Sequence, residues 1–130
     1  MNSPQLNAAT HLAGRAMMSF IFIMAGINKI GGYAGTQGYM EAMGVPGMLL
    51  PLVILLEAGG GLALIAGWQT RLVSYALAAF TVVAALIFHS NLGDQTHMIM
   101  FMKNFAIAGG LLLLAEHGAG AFSLDKRQKM

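Results

Sequence analysis

The chain has 130 residues, of which 57% are hydrophobic and only 9% charged, with a formal net charge of +2. A soluble domain carries roughly 25% charged residues, so this composition suits lipid and not water, and the scattered basic residues form no patch for nucleic acid. With no cysteine in the chain, disulfides, thiol–disulfide exchange, iron–sulfur clusters and cysteine zinc sites are excluded.

The length fits a single domain, residues 1–130. Met1 to Thr10 is polar and lacks a basic n-region, so the first apolar segment is expected to stay as an anchor. Four apolar segments follow, at about 11–30, 48–67, 70–90 and 98–117, each near the ~20 residues that a helical span needs. The Gly-rich stretch 31–47 reads as a loop with a short interfacial helix near Thr36 to Met43. A tight turn at Gly67-Trp68-Gln69-Thr70 follows the second segment, with Thr70 expected to cap the third helix and Trp68 suited to the interface. Asn91 to Gln95 turns into the fourth segment, and Leu124 to Met130 reads as a charged tail.

The expected fold is therefore all-α, a four-helix transmembrane bundle. Arg15, Arg71, Lys126, Arg127 and Lys129 fall on the side of the termini, against Lys29 and Lys103 on the other. The positive-inside bias then makes both termini cytoplasmic, in a multi-pass protein of the bacterial inner membrane.

Glu57 is the residue around which the second segment must be explained. It stands near the middle of Pro51-Leu-Val-Ile-Leu-Leu-Glu57-Ala-Gly-Gly-Gly-Leu-Ala-Leu-Ile-Ala-Gly67, where a carboxylate costs a few kcal/mol on insertion scales. It must pair, stay protonated or face a wet cavity. Helical spacing puts Glu57 on a stripe with Gly60, Gly61 and Leu64, and puts His11, Arg15, Phe22, Gly26 and Lys29 on another. His89 aligns with Ala85, Val82 and Ala78, and Lys103 with Ala106, Ile107 and Gly110. Gly59, Ala63 and Gly67 form a further small-residue stripe, of the kind that marks helix contacts in membranes. At ~1.5 Å per residue, Lys29, His89, Lys103 and Glu57 share the outer half. They form a candidate polar cluster opening away from the termini, in which Glu57 is expected to contact Lys29, Lys103 or His89.

Plainer readings stand beside this one. Lys29 can simply snorkel to the headgroups, a Glu57–lysine pair can be purely structural, and His89 can be an interfacial group. Met98 and Met102 share a face that could bind soft Cu(I), but lipid-facing methionine is the default. His89 and His97 flank a short turn, a poor geometry for haem. No metal site is expected.

Gly26-Ile-Asn-Lys29-Ile, Gly44-Val-Pro46, Glu57 with Gly59-Gly-Gly-Leu-Ala-Leu-Ile-Ala-Gly67, Thr70-Arg71, His89, Lys103-Asn104 and Gly118-Ala-Gly120-Ala-Phe-Ser-Leu-Asp125 occur in an order and spacing that resembles the DoxX family of small bacterial membrane proteins. Ala119 stands where the family often has proline. The resemblance covers nearly the whole chain. It implies a four-helix membrane bundle and a link to respiratory redox chemistry, since the family takes its name from a subunit associated with a quinone oxidoreductase. Lys29, Glu57, His89 and Lys103 match family positions without a role being implied. The leading expectation is a non-autonomous subunit of quinone-linked membrane chemistry. The alternatives are a structural or assembly protein without substrate, and a small-molecule or proton carrier that titrates Glu57. Quinone is the one cofactor the pattern leaves room for, the expected partners are the lipid bilayer and redox-complex subunits, and self-association into a homo-oligomer stays open.

Overall fold

The computed structural model describes residues 4–120 and 123–125. The described residues are helical throughout, apart from short connections. Helix α1 runs Pro4–Gly31 and α2 runs Tyr33–Ala42. A 3-10 turn at Gly47–Leu49 leads into α3 (Leu50–Ile54), a π-helical turn at Leu55–Gly59 and α4 (Gly60–Ala66), and then come α5 (Thr70–Phe88) and α6 (Gln95–His117). Four stretches are long and apolar enough to cross a membrane: Pro4–Gly31, Gly47–Ala66, Thr70–Phe88 and Gln95–His117.

The first span starts earlier than its hydropathy indicated. Pro4 has the fixed φ and missing N–H that suit a first helical turn, and the polar residues after it extend α1 beyond the apolar stretch. With 28 residues, α1 is about 42 Å long at the standard rise, more than the ~30 Å hydrocarbon core needs.

The surface confirms the solvent. Met17, Phe20, Ile27, Leu52, Leu55, Leu72, Leu86, Met102 and Leu113 are all exposed. So much exposed apolar surface would drive aggregation in water, whereas in lipid it is simply wetted by acyl chains. Lipid gives the helices no hydrophobic reason to associate, so close packing must hold them together. The core is accordingly small: Phe22, Leu64, Leu77, Ala78, Ala108 and Leu111.

Two helix pairs make up the bundle. α1 packs along the second span, α5 packs along α6, and the pairs join mainly through α4 against α5, with sparser contact between α1 and α6. The joining contacts lie toward the end that carries the chain termini. At the other end α2 lies across the gap, and its Tyr39 ring stacks on Phe88 with centroids 5.3 Å apart.

The terminal end is tied by polar contacts to helix ends. Gly67 closes α4 in the left-handed region at φ +74°, a conformation that glycine adopts without penalty. A side chain there would also collide with Ser123. Thr70 does not cap α5 as its position suggested. The Asp125 carboxylate does so, accepting from the N–H groups of Gln69 at 2.8 Å and Thr70 at 2.9 Å, while the Asp125 N–H donates to Gly67 O at 2.8 Å. Ser123–Asp125 is thus a structural cap and not the start of a free tail; residues 126–130 of the expected tail lie outside the described residues. Arg15 is buried, and its guanidinium donates to the carbonyls of Ala119 and Ile65. Arg71 Nε donates to Ala115 O at 3.0 Å. Both arginines therefore satisfy carbonyls at or just beyond helix C-termini, which otherwise lack partners.

Candidate functional site

Glu57 lies in the π-helical turn, a widening of the winding in the middle of the second span. Such single turns recur at functional sites. The expected stripe is observed in full: Glu57, Gly60, Gly61 and Leu64 are the buried residues from Leu55 to Ala66. Each glycine meets a neighbouring helix. A Cβ on Gly61 would stand 3.0 Å from Ile23 N and 3.1 Å from Ser19 O, and one on Gly60 would touch Leu77. The second stripe is corrected at Gly59, where an added Cβ would meet only Leu55 of its own helix.

On α1 the buried residues are Arg15, Ser19, Phe22 and Gly26, which continues the expected stripe and adds Ser19. Its last turn brings Lys29 over the π turn, where Lys29 Nζ stands 2.8 Å from Glu57 Oε1. The carboxylate side chain is 7% exposed and the lysine 29%. The pair is therefore asymmetric: a buried acid held by a half-buried base that can still reach polar surroundings.

This pair forms part of the wall of a cavity of about 520 Å³ between the two helix pairs. Its lining residues run from the end of the bundle away from the termini to about its middle, at Ile21, Phe80 and Ile107. Phe22 and Lys29 contribute from α1, Tyr39 and Met40 from α2, Val53 and Glu57 from the second span. Thr81, Phe88 and His89 contribute from α5 and its C-cap, and Lys103 and Asn104 from α6. The four residues singled out from the sequence, Lys29, Glu57, His89 and Lys103, thus face one chamber, and Lys29 is the one in contact with Glu57. Most of the remaining wall is apolar, and the volume falls in the 300–1,000 Å³ range of small-molecule sites.

His89 caps α5 at the rim, and its Nδ1 lies 3.2 Å from His97 Nδ1. One ring donates and the other accepts, so the two nitrogens face each other and do not flank an iron-sized gap. Burial pushes the His89 imidazole below its ordinary value, and His97 and the Lys103 ammonium push it the same way. Asp94 caps α6, accepting from His97 N at 3.0 Å. Asn104 Nδ2 donates to Thr81 O at 3.3 Å, which ties α6 to α5 in the cavity wall.

Lys103 corrects the expectation for the fourth helix. The buried face of α6 is Ala108, Leu111 and Ala115, while Lys103 and Ala106 are exposed. Lys103 reaches the cavity from the edge of α6 and not from its packed face. Met98 and Met102 are exposed on the outer surface, at 41% and 61%. Among the described residues no three His, Asp or Glu side chains are grouped to hold a metal ion.

Against known proteins, the DoxX family model matches residues 10–90, a segment that includes Lys29, Glu57 and His89. The chain is 56% identical over 115 residues to "Inner membrane protein YqjF" of Escherichia coli (strain K12), covering 88% of each chain. It is 37% identical over 123 residues to "Inner membrane protein YphA" of the same organism, covering 89% of this chain and 88% of that one. No solved structure matches the chain.

Proposed function

The chain belongs to the DoxX family and is a multi-pass protein of the bacterial inner membrane, and from that premise we propose that it is a non-autonomous subunit of quinone-linked redox chemistry, with quinone entering the cavity beside Lys29 and Glu57. The observation that carries this reading is the chamber itself. It is apolar over most of its wall, polar at Lys29–Glu57, and sized for a ring headgroup. A lipid-soluble ring would reach it from the bilayer, and Lys29 would offer an N–H to a ring oxygen while Glu57 holds the lysine in place. The chain has no cysteine, so thiol and iron–sulfur electron carriers would belong to partner subunits.

The cavity opens toward the periplasm in this reading, with both termini cytoplasmic. Arg71 and the basic residues near the C-terminus support that orientation. A reporter fused at Met130 should act in the cytoplasm; activity only in the periplasm would reverse it.

The test of function is purification from native membranes with partners retained, followed by lipid extraction and optical spectra. A co-purifying quinone or flavoprotein supports the proposal. Recovery of the chain alone, free of quinone, would overturn it in favour of a structural or assembly role, or of a carrier.

A further inference from the structure

The polar groups that line the cavity do not balance in charge. Lys29 and Glu57 cancel across 2.8 Å. Lys103 lines the same chamber and has no carboxylate partner among the described residues. The nearby acids are not lining residues: Asp94 caps α6, and the Glu41 carboxylate lies against Gly47. Asn104 has its amide nitrogen committed to Thr81 O, and Thr81 Oγ1 donates to Leu77 O at 2.7 Å. His89 is held toward its neutral form by burial, by His97 and by Lys103 itself. One ammonium is therefore in surplus, against walls that are largely Ile, Val, Phe and Met.

We infer that the cavity takes its quinone-class ligand in an anionic form, a hydroxyquinone that has already given its ring O–H proton to bulk water, with the oxyanion set against Lys103. This rests on the quinone reading above and adds the charge of the ligand to it. A neutral ring filling the chamber would displace only the water on the cavity side of Lys103, which stays exposed at the edge of α6, and would gain nothing from its charge. An anion replaces that water with a charge-assisted hydrogen bond. Lys29 cannot take this role, because its charge is already held by Glu57. The selecting group is therefore Lys103, which lies on the opposite helix pair.

The experiment compares two probes on the full chain in detergent: a hydroxynaphthoquinone that is an anion at neutral pH, and its neutral methyl counterpart, menadione. The native chain should bind the anion more tightly by about tenfold or more, the scale of one partly screened charge contact. Lys103→Met should remove that preference while keeping menadione affinity, and Lys103→Arg should retain it. Unchanged thermal unfolding of both variants separates recognition from folding. Equal affinities in the native chain, or a preference that survives Lys103→Met, would overturn the inference and leave the quinone reading standing. Binding of neither probe would sink both.

Discussion

Gly26 and Ala58 touch at the point where α1 crosses the π-helical turn: a Cβ on Gly26 would stand 2.7 Å from Ala58 Cβ and 2.9 Å from Ala58 N. This contact sets the register of the site. Lys29 follows Gly26 by one turn and Glu57 precedes Ala58, so the close approach of the two backbones brings base and acid within 2.8 Å.

Gly26→Ala tests that relationship. Alanine favours a helix by about 1 kcal/mol over glycine, but here its methyl would press on a backbone nitrogen that cannot rotate away. Overpacking of this kind costs about 1–3 kcal/mol, so the variant should unfold at lower temperature than the native chain. Gly109→Ala is the control, because nothing lies within 4 Å of its added Cβ; it should be neutral or stabilising. Equal behaviour of the two variants would remove Gly26 from the argument.

Asp125→Ala should lower stability by about 1–2 kcal/mol, the worth of a strong N-cap, because Gln69 N and Thr70 N would both lose their acceptor. Thr70→Val should cost much less, since the Thr70 hydroxyl is buried without a hydrogen-bond partner among the described residues. Thermal unfolding of the two variants in one detergent checks the order. A larger loss for Thr70→Val would restore threonine as the cap.

What the sequence made legible follows from what is local. The four spans and the stripe of Glu57, Gly60, Gly61 and Leu64 were readable because apolar runs and helical spacing express them directly. The Asp125 cap was not, since its partners lie 55 and 56 residues away and local chemistry pointed to Thr70. The π turn was also hidden, because Leu55-Leu56-Glu57-Ala58-Gly59 is as compatible with ordinary winding as with the wider turn. On α6 small residues lie on both sides, Ala108 and Ala115 buried but Ala106 and Gly109 exposed. Small-residue patterning therefore misassigned the face of Lys103. Arg15 was legible as part of the inward stripe of α1, but its carbonyl partners at Ala119 and Ile65 were not, since they lie 104 and 50 residues away.

His89 should make stability depend on pH. Its imidazole sits below the ordinary value of 6.5, first because of burial and then because of His97 and Lys103. A base whose pKa falls on folding leaves the unfolded chain binding more protons in that window. The stability it contributes is present above about pH 6.5 and is lost as pH falls through the folded value. Thermal unfolding between about pH 7 and pH 5 should show the decline, with a shallower slope in His89→Asn. An unchanged slope in that variant would assign the acid sensitivity to other groups.

The ion pair itself gives the most discriminating prediction, because its two members are unequally buried. Lys29→Met leaves the Glu57 carboxylate alone at 7% exposure, and breaking a buried pair by removing one partner costs about 3–5 kcal/mol. Glu57→Gln leaves Lys29 at 29% exposure with a long stem that can carry its ammonium toward the headgroups. Its loss should be nearer that of an ordinary hydrogen bond, about 1 kcal/mol. The double variant Lys29→Met with Glu57→Leu removes both charges and should recover most of the stability lost in Lys29→Met, since apolar replacement of a whole pair is often neutral. With Glu57→Leu alone as the matching single variant, Lys29→Met and the double variant close a double-mutant cycle whose coupling term measures the pair. Additive losses would mean that Lys29 and Glu57 act independently despite their 2.8 Å separation. If recovery of stability in the double variant is accompanied by loss of naphthoquinone binding, the pair is held in the wall for its ligand and not for the fold.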